Sequence, residues 1–485
     1  MERAKEARFP TQLLALGVAL SGSLGGLSVM RGLFDPDYFW HLATGRLIVQ
    51  TGRIPTTDPF TFTWHGQPWI PDQWLSDVAI YALVQWMGST AGLLVFGVVA
   101  ATAPVIIGWG LARLGVGHRA IIVASLLTSA VVLPQVTMRP QVLSLPLLAT
   151  VIAVLLTADP EHRRRLLILP PLFLLWANLH GFYVVGLGVG FAYLVATVAG
   201  RTPMRSTPLW VIGTGATSLL ASMLTPSGPG GIAYSLSFAN PGDWGARNIA
   251  EWQSPNFHDP QFLPFLALAI VLVALGTRGP GWVRFVAYVG LAMGLLAVRS
   301  IAIGALTAMP AVTLGLEATL RSSPARPAKS GAPPARRLLE LGAAVLIAVV
   351  VVGAALARAA GTTDLSNRFP VAGTAYLAQH EPSARVLTRY GWGGYVLNEL
   401  YPVGGLVFAD GRMHKYGGAV LDDYSAIVAA DPGWERLVAA YGVDAVLLRV
   451  DTPLVRGPAQ QAGWCEAYRD DLQVLLLRTC DQLGS

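Results

Sequence analysis

Charge is what this chain has least of. Of 485 residues only 13% are charged, whereas 53% are hydrophobic and the mean hydropathy is +0.52. Soluble domains carry roughly 25% charged residues, so a wholly soluble protein is excluded and most of the chain must lie in a bilayer. Cysteine is nearly absent too. The two present, Cys465 and Cys480, are too few for a disulfide framework. No close metal-ligand spacing, glycine-rich phosphate loop or hydrolase nucleophile elbow occurs. The formal charge of +6 does not indicate nucleic acid as a partner, because the basic residues collect in short loops between apolar runs.

What is present is a series of apolar runs near the length of about 20 residues that a membrane helix needs. They fall at 10–31, 91–112, 119–137, 140–157, 166–180, 182–199, 207–225, 262–277, 281–298, 300–319 and 338–358. The first is longer than a signal-peptide core of about 7–15 residues and reads as a retained helix. Alternate loops are basic: Arg113 and Arg119, Arg163-Arg164-Arg165, Arg201 and Arg205, Arg278 and Arg284, and Arg321 to Arg337 share a side with Arg3, Lys5 and Arg8. The positive-inside rule makes that side cytoplasmic. The expectation is an α-helical polytopic membrane protein with about eleven transmembrane helices in a bacterial inner membrane. Its amino terminus is cytoplasmic, and residues 321–337 form a linker on that side. Segment 32–90, loop 226–261 and everything after 358 then face outward. Within 32–90, Tyr38 to Gln50 and Gln73 to Met87 have helical periodicity with aromatic faces and read as helices lying along the interface. Residues 359–485 are richer in charge. They alternate β-rich runs at 384–389, 404–409, 444–449 and 472–478 with helical stretches at 370–380, 413–429 and 432–441, an extracytoplasmic α/β domain. A hairpin turning at Arg469-Asp470-Asp471 sets Cys465 opposite about Leu476, which argues against a bond to Cys480.

Polar groups that could carry chemistry recur on the outward side. Asp35-Pro36-Asp37 follows the first apolar run directly, although an aspartate there can equally cap a helix. Arg299 stands between two apolar spans, where an arginine is costly, and its planar fork suits a phosphate. Glu251 lies among aromatics and prolines in Asn248-Ile249-Ala250-Glu251-Trp252-Gln253-Ser254-Pro255. Arg139 occupies another boundary with Pro140 and Gln141, and His180 a further one in Trp176-Ala177-Asn178-Leu179-His180-Gly181. Carboxylates that can activate a nucleophile, with arginines that can stabilise a leaving phosphate, suit group transfer from a lipid phosphate.

On these residues the chain resembles the GT-C superfamily of membrane glycosyltransferases and is distantly similar to oligosaccharyltransferase catalytic subunits. Those proteins open their first external loop with an Asp-Pro-aromatic motif and a glycine some fifteen residues on, the spacing of Asp37 and Gly52. Val298-Arg299 resembles the late Val-Arg motif whose arginine holds the donor phosphate, and the segment around Glu251 is similar to the family's late external-loop motif. Tyr390-Gly391-Trp392-Gly393-Gly394-Tyr395 and Ala409-Asp410-Gly411-Arg412 occupy the places of the acceptor motifs. Two departures matter. The sequon-reading Trp-Trp-Asp-Tyr-Gly motif is missing, so asparagine-linked transfer is not implied. Met138-Arg139-Pro140-Gln141 replaces an acidic pair, which argues against a bound magnesium or manganese ion and suggests that Arg139 acts at the donor phosphate instead. Asp35-Pro36-Asp37, Trp40-His41-Leu42, Gly45-Arg46 and Asp410-Gly411-Arg412 also fit a bacterial multi-pass group that shares this architecture.

The resemblance implies an inverting glycosyltransferase that moves a sugar from a polyprenyl-phosphate or diphosphate carrier to a glycan, lipid or protein acceptor. It makes Asp37, then Asp35, the catalytic carboxylates, with Arg299 and Arg139 at the carrier phosphate. Glu251, His180, Trp392, Tyr395, Asp410 and Arg412 lie on the acceptor side. It implies residues 1–358 as the membrane domain and 359–485 as the outward domain. A transporter or flippase of lipid-linked saccharide is the rival. It would need polar residues near the bilayer midplane and commonly shows internal repeats, and the sequence has neither. A non-catalytic assembly subunit is the third option.

Overall fold

The structure is a computed structural model that describes residues 11–31, 35–237, 244–322, 334–359, 365–416 and 418–479. The chain is mostly helical, at 71%, with one small sheet near its carboxyl end. It forms two compact units. One comprises Met1–Gly32, Met87–Asn240 and Ile249–Gly361; the other comprises Leu33–Trp86, Pro241–Asn248 and Thr362–Ser485.

Every apolar run named above meets a helix in the first unit. These helices are Thr11–Arg31, Trp74–Arg113, His118–Val132, Pro140–Leu156, Leu169–Leu179, Tyr183–Val198, Pro208–Ser222, Leu263–Leu275, Gly281–Leu296, Ile301–Ser322 and Pro334–Ala359. Pro140 and Pro208 stand at first helical positions, where the missing N–H costs nothing and the fixed φ favours the helix. Four helical stretches among the described residues are long and apolar enough to cross a membrane: Gln12–Arg31, Trp74–Arg113, His118–Gln135 and Val298–Ser322. The apolar stretches of the others are shorter, Gly342–Leu356 among them, so a count of about eleven spans goes beyond what the helices establish.

Large apolar side chains such as Leu126, Phe191, Ile270, Phe285 and Val349 are exposed on these helices, as lipid contact requires. Their inner faces approach closely through small residues. A Cβ on Gly304 would strike the backbone carbonyl of Gly290, a packing mode that suits helices lacking a hydrophobic driving force between them. The Trp74–Arg113 helix breaks at Gly88, with φ 78° and ψ 164°. Its amino-terminal part therefore changes direction beside the boundary of the units, where the sequence predicted an interfacial helix ending at Met87.

The second unit holds a five-stranded sheet: β1 Arg385–Thr388, β2 Leu406–Val407, β3 Ala445–Arg449, β4 Cys465–Arg469 and β5 Gln473–Leu477, in the order β2-β1-β3-β5-β4. β1 runs parallel to β2 and β3, whereas β5 is antiparallel to both of its neighbours. Every residue of β5 and four of the five in β3 are buried, consistent with central strands covered on both faces. The helices Val371–His380, Gly418–Ala429 and Trp434–Tyr441 lie in or close to the predicted stretches.

Residues 57–69 extend this sheet beyond β2. Phe62 N–H donates to the Val407 carbonyl and Val407 N–H to that of Phe60, each at 3.2 Å. The 33–86 segment thus belongs physically with the carboxyl-terminal domain. The linker 321–337 lies largely outside the described residues. One expectation is overturned: Cys465 is disulfide-bonded. Cys465 does pair near the predicted register, opposite Leu477. However, β5 ends there, so strand geometry places no constraint on the residues that follow. Cys480 lies outside the described residues.

Candidate functional site

In the helical unit the structure brings together Arg139, Glu251, Arg299 and His180, four of the residues singled out by sequence. Arg139 precedes the helix Pro140–Leu156 in extended conformation, as a residue before proline must. Its Nη1 meets Glu251 Oε2 at 2.6 Å. Arg299 sits in a short 3₁₀ turn, Val298–Ser300, tied down by the Val298 N–H donating to the Gln253 carbonyl at 3.0 Å. Its guanidinium lies 3.9 Å from the Trp252 ring centroid and 5.8 Å from that of Phe182. A guanidinium stacked on a ring is held in orientation, with its N–H donors directed in the plane of the fork. Burial pushes the Glu251 carboxyl up, but the Arg139 and Arg299 guanidiniums outweigh it and hold the group below its ordinary range. Glu251 is therefore ionised, and the trio carries one net positive charge. His180 is buried beside it, with Nδ1 accepting from the Phe182 N–H at 3.2 Å and lying 3.1 Å from Ser144 Oγ.

In the second unit the Asp35-Pro36-Asp37 segment divides its labour. Asp35 is buried, and its Oδ1 accepts from the Asp37 N–H at 3.0 Å. Asp35 thus satisfies the first N–H of the helix Asp37–Thr51 from just ahead of its N-cap position, Pro36, and Asp37 stands partly exposed at its first turn. Gly52, the glycine fifteen residues on, ends that helix in the left-handed region at φ 65°, a conformation glycine adopts without strain. Asp37 is closely covered, because a Cβ on Gly411 would overlap its Oδ1 and lie 3.0 Å from Trp40 Nε1. The Asp410-Gly411-Arg412 turn therefore passes directly over the Asp37 carboxylate.

Two further arrangements in this unit escaped sequence reasoning. His41, one helical turn after Asp37, holds its Nδ1 2.6 Å from Asp77 Oδ1, with both side chains buried. Arg412 is fixed between two buried carboxylates. It reaches Asp58 at 2.9 Å and binds Asp410 in bidentate fashion, while Lys415 Nζ lies 2.7 Å from Asp58. Trp69 stacks on Arg412 at 4.3 Å. Burial raises Asp58 and Asp410, yet Arg412 and Lys415 prevail and hold both low. Burial and the neighbouring Arg412 bring Lys415 down to about 8. This neutral four-charge cluster locks residues 58–69 to residues 410–416.

Searches for similar proteins now bear on the fold. No protein-family model matches the chain, and no curated protein matches it by sequence. Solved structures do match. ArnT from Cupriavidus metallidurans bound to undecaprenyl phosphate superposes with a TM-score of 0.55 at 14% identity, covering 98% of this chain and all of that one. The apo oligosaccharyltransferase of Archaeoglobus fulgidus gives 0.57 at 13%, covering 90% of this chain and 70% of that one. The arabinofuranosyltransferase AftD from Mycobacteria gives 0.54 at 16%, covering 98% of this chain but 40% of AftD. All three are GT-C superfamily glycosyltransferases. This chain has the GT-C fold.

Within that fold the candidate residues sort into distinct roles by burial. Trp392 and Tyr395, expected on the acceptor side, are core residues, 1% and 7% exposed. Trp392 donates to the Arg368 carbonyl at 2.8 Å, and Tyr395 packs edge-on to Phe39 and stacks on Phe369. Asp410 and Arg412 are likewise consumed in the ion cluster. Tyr395 thus packs on the Asp37 helix through Phe39, and Asp410 and Arg412 fix the turn above it. A GT-C enzyme that uses a divalent cation needs grouped carboxylate or imidazole ligands. No three such side chains converge among the described residues, and the basic Arg139 pairs with Glu251.

Proposed function

We propose that this GT-C protein transfers a sugar from a polyprenyl-phosphate or diphosphate carrier to an acceptor on the extracytoplasmic side of a bacterial inner membrane. The observation that carries the reading is the Arg139–Glu251–Arg299 cluster: two guanidiniums, one stacked on Trp252, held by turns at the ends of apolar helices. Two guanidiniums at the ends of apolar helices are a chemistry suited to a lipid-linked phosphate. ArnT, of the same fold, is bound to undecaprenyl phosphate.

The carboxylate role falls to Asp37 rather than Asp35, because Asp35 is committed to capping. In this reading the acceptor hydroxyl or amine attacks the anomeric carbon from the face opposite the phosphate. The bond from the anomeric carbon to the phosphate oxygen breaks, and its electron pair leaves on the carrier. The acceptor proton passes to Asp37, and the anomeric configuration inverts. Arg299, joined by Arg139, takes up the charge that grows on the departing phosphate. The disulfide at Cys465 supports an oxidising compartment for the second unit, as does the positive-inside pattern.

The test is reconstitution of the full chain in liposomes with radiolabelled polyprenyl-linked sugars. Asp37→Asn is expected to lower transfer by at least about a hundredfold. Arg299→Ala is expected to lose a comparable factor. Wild-type rates in both variants would defeat the assignment.

A further inference from the structure

His180 stands in the arginine cluster with its protonation state fixed by its neighbours. The indole of Trp176 can only donate, and its Nε1–H bonds Ser144 Oγ at 2.9 Å. The Ser144 hydroxyl proton is thereby directed to His180 Nδ1, 3.1 Å away, and the Phe182 backbone N–H donates to the same nitrogen. A ring nitrogen that accepts carries no proton, so the neutral imidazole holds its hydrogen on Nε2. That nitrogen has no hydrogen-bond partner among the described residues, although the residue is 95% buried, being 5% exposed. Its ring packs edge-on to Phe182 at 4.6 Å, and Phe182 also contacts Arg299. Arg299 and Arg139 are its charged neighbours.

On a buried side chain, a donor held in one tautomer beside two guanidiniums suits an anion better than an acceptor sugar. Resting on the donor-phosphate reading above, we propose that His180 Nε2–H donates to a terminal oxygen of the carrier phosphate held by Arg299 and Arg139. A sugar-loaded polyprenyl phosphate presents two terminal oxygens and the released carrier, a monoester, presents three, for which the cluster offers three donor groups, one of them neutral. His180 thereby moves from the acceptor side to the donor side. The serine–tryptophan relay behind it keeps the ring from turning its accepting edge toward an anion.

The experiment titrates purified full-length protein in detergent with undecaprenyl phosphate, with undecaprenol and with inorganic phosphate, following intrinsic tryptophan fluorescence. Wild type should prefer undecaprenyl phosphate to both controls. His180→Ala should weaken that binding about ten- to a hundredfold, the range for a hydrogen bond to a charged group, and leave undecaprenol binding unchanged. His180→Gln, whose amide also donates, should recover part of the loss. Unchanged affinity in His180→Ala, or a loss in His180→Gln as large as in His180→Ala, overturns the donor assignment. Equal wild-type affinity for undecaprenyl phosphate and undecaprenol removes the carrier-phosphate reading itself, and the proposal with it. Preference for inorganic phosphate over the lipid overturns the lipid headgroup as the occupant.

Discussion

Replacing Asp58 by asparagine is the sharpest perturbation of the second unit. Asp58 faces Arg412 at 2.9 Å and Lys415 at 2.7 Å, and Thr61 donates its hydroxyl proton to the same carboxylate. The side chains of Asp58, Asp410, Arg412 and Lys415 are all 4% exposed or less. The substitution keeps the shape but leaves two buried cations against one carboxylate. Breaking a buried ion pair in this way costs about 3–5 kcal/mol. Lys415, already at about 8 because of burial and Arg412, loses one of the carboxylates that keep it protonated. It can therefore shed its proton, which sets the cost toward 3 kcal/mol near neutral pH.

In a unit of 150–250 residues each kcal/mol shifts Tm by about 2–4 °C, so the expected fall is about 6–12 °C at pH 7. Thermal unfolding of the full chain in detergent, followed by near-ultraviolet circular dichroism, measures it. The pH dependence gives a second reading. Folding lowers the Asp58 and Asp410 carboxyls, so the unfolded state binds more protons in the acid window. Their stabilisation is present above the ordinary value near 3.8 and is lost as pH falls through the lowered folded values. Folding also lowers Lys415, from 10.5 to about 8, so stability rises again as pH increases from about 8 to 10.5. The variant should lose part of the acid limb. A Tm shift under about 2 °C, with an unchanged acid limb, would show that the cluster is not the lock described.

Four further outcomes are expected. Gly411→Ala drives a Cβ into Asp37 Oδ1 and should reduce transfer at least about tenfold, with carrier binding unchanged in the titration above. Arg139→Ala should abolish most transfer without rescue by manganese. Glu251→Ala, which frees Arg139 from its pair, should tighten undecaprenyl phosphate binding; weaker binding would assign the pair to structure alone. Asp77→Asn removes the buried carboxyl that lies 2.6 Å from His41 Nδ1. It should cost about 1–3 kcal/mol of stability, read from the same unfolding curves.

Much of the fold was legible because it is written locally. The apolar runs gave the helices within a few residues, and alternation and turn residues gave the strands of the second unit. The short β4 was seen only as one arm of a hairpin. Arg139 and Arg299 stood out from the sequence too, since an arginine at the end of an apolar span is costly wherever it occurs. The family spacing ranked Asp37 ahead of Asp35, and the structure adds that Asp35 Oδ1 accepts from the Asp37 N–H.

The sequence by itself determined the membrane character, the helical and sheet elements and the types of residue available for chemistry, because hydropathy, periodicity and residue costs act over a few neighbours. Tertiary structure alone decided which of those residues are free to act. Arg412 and Asp58, 354 positions apart, neutralise each other. Trp392 and Tyr395 pack inward, Arg139 meets Glu251, and the tautomer of His180 is set by Ser144, Trp176 and Phe182. Those assignments depend on distance in space and on desolvation, and neither is encoded by spacing along the chain.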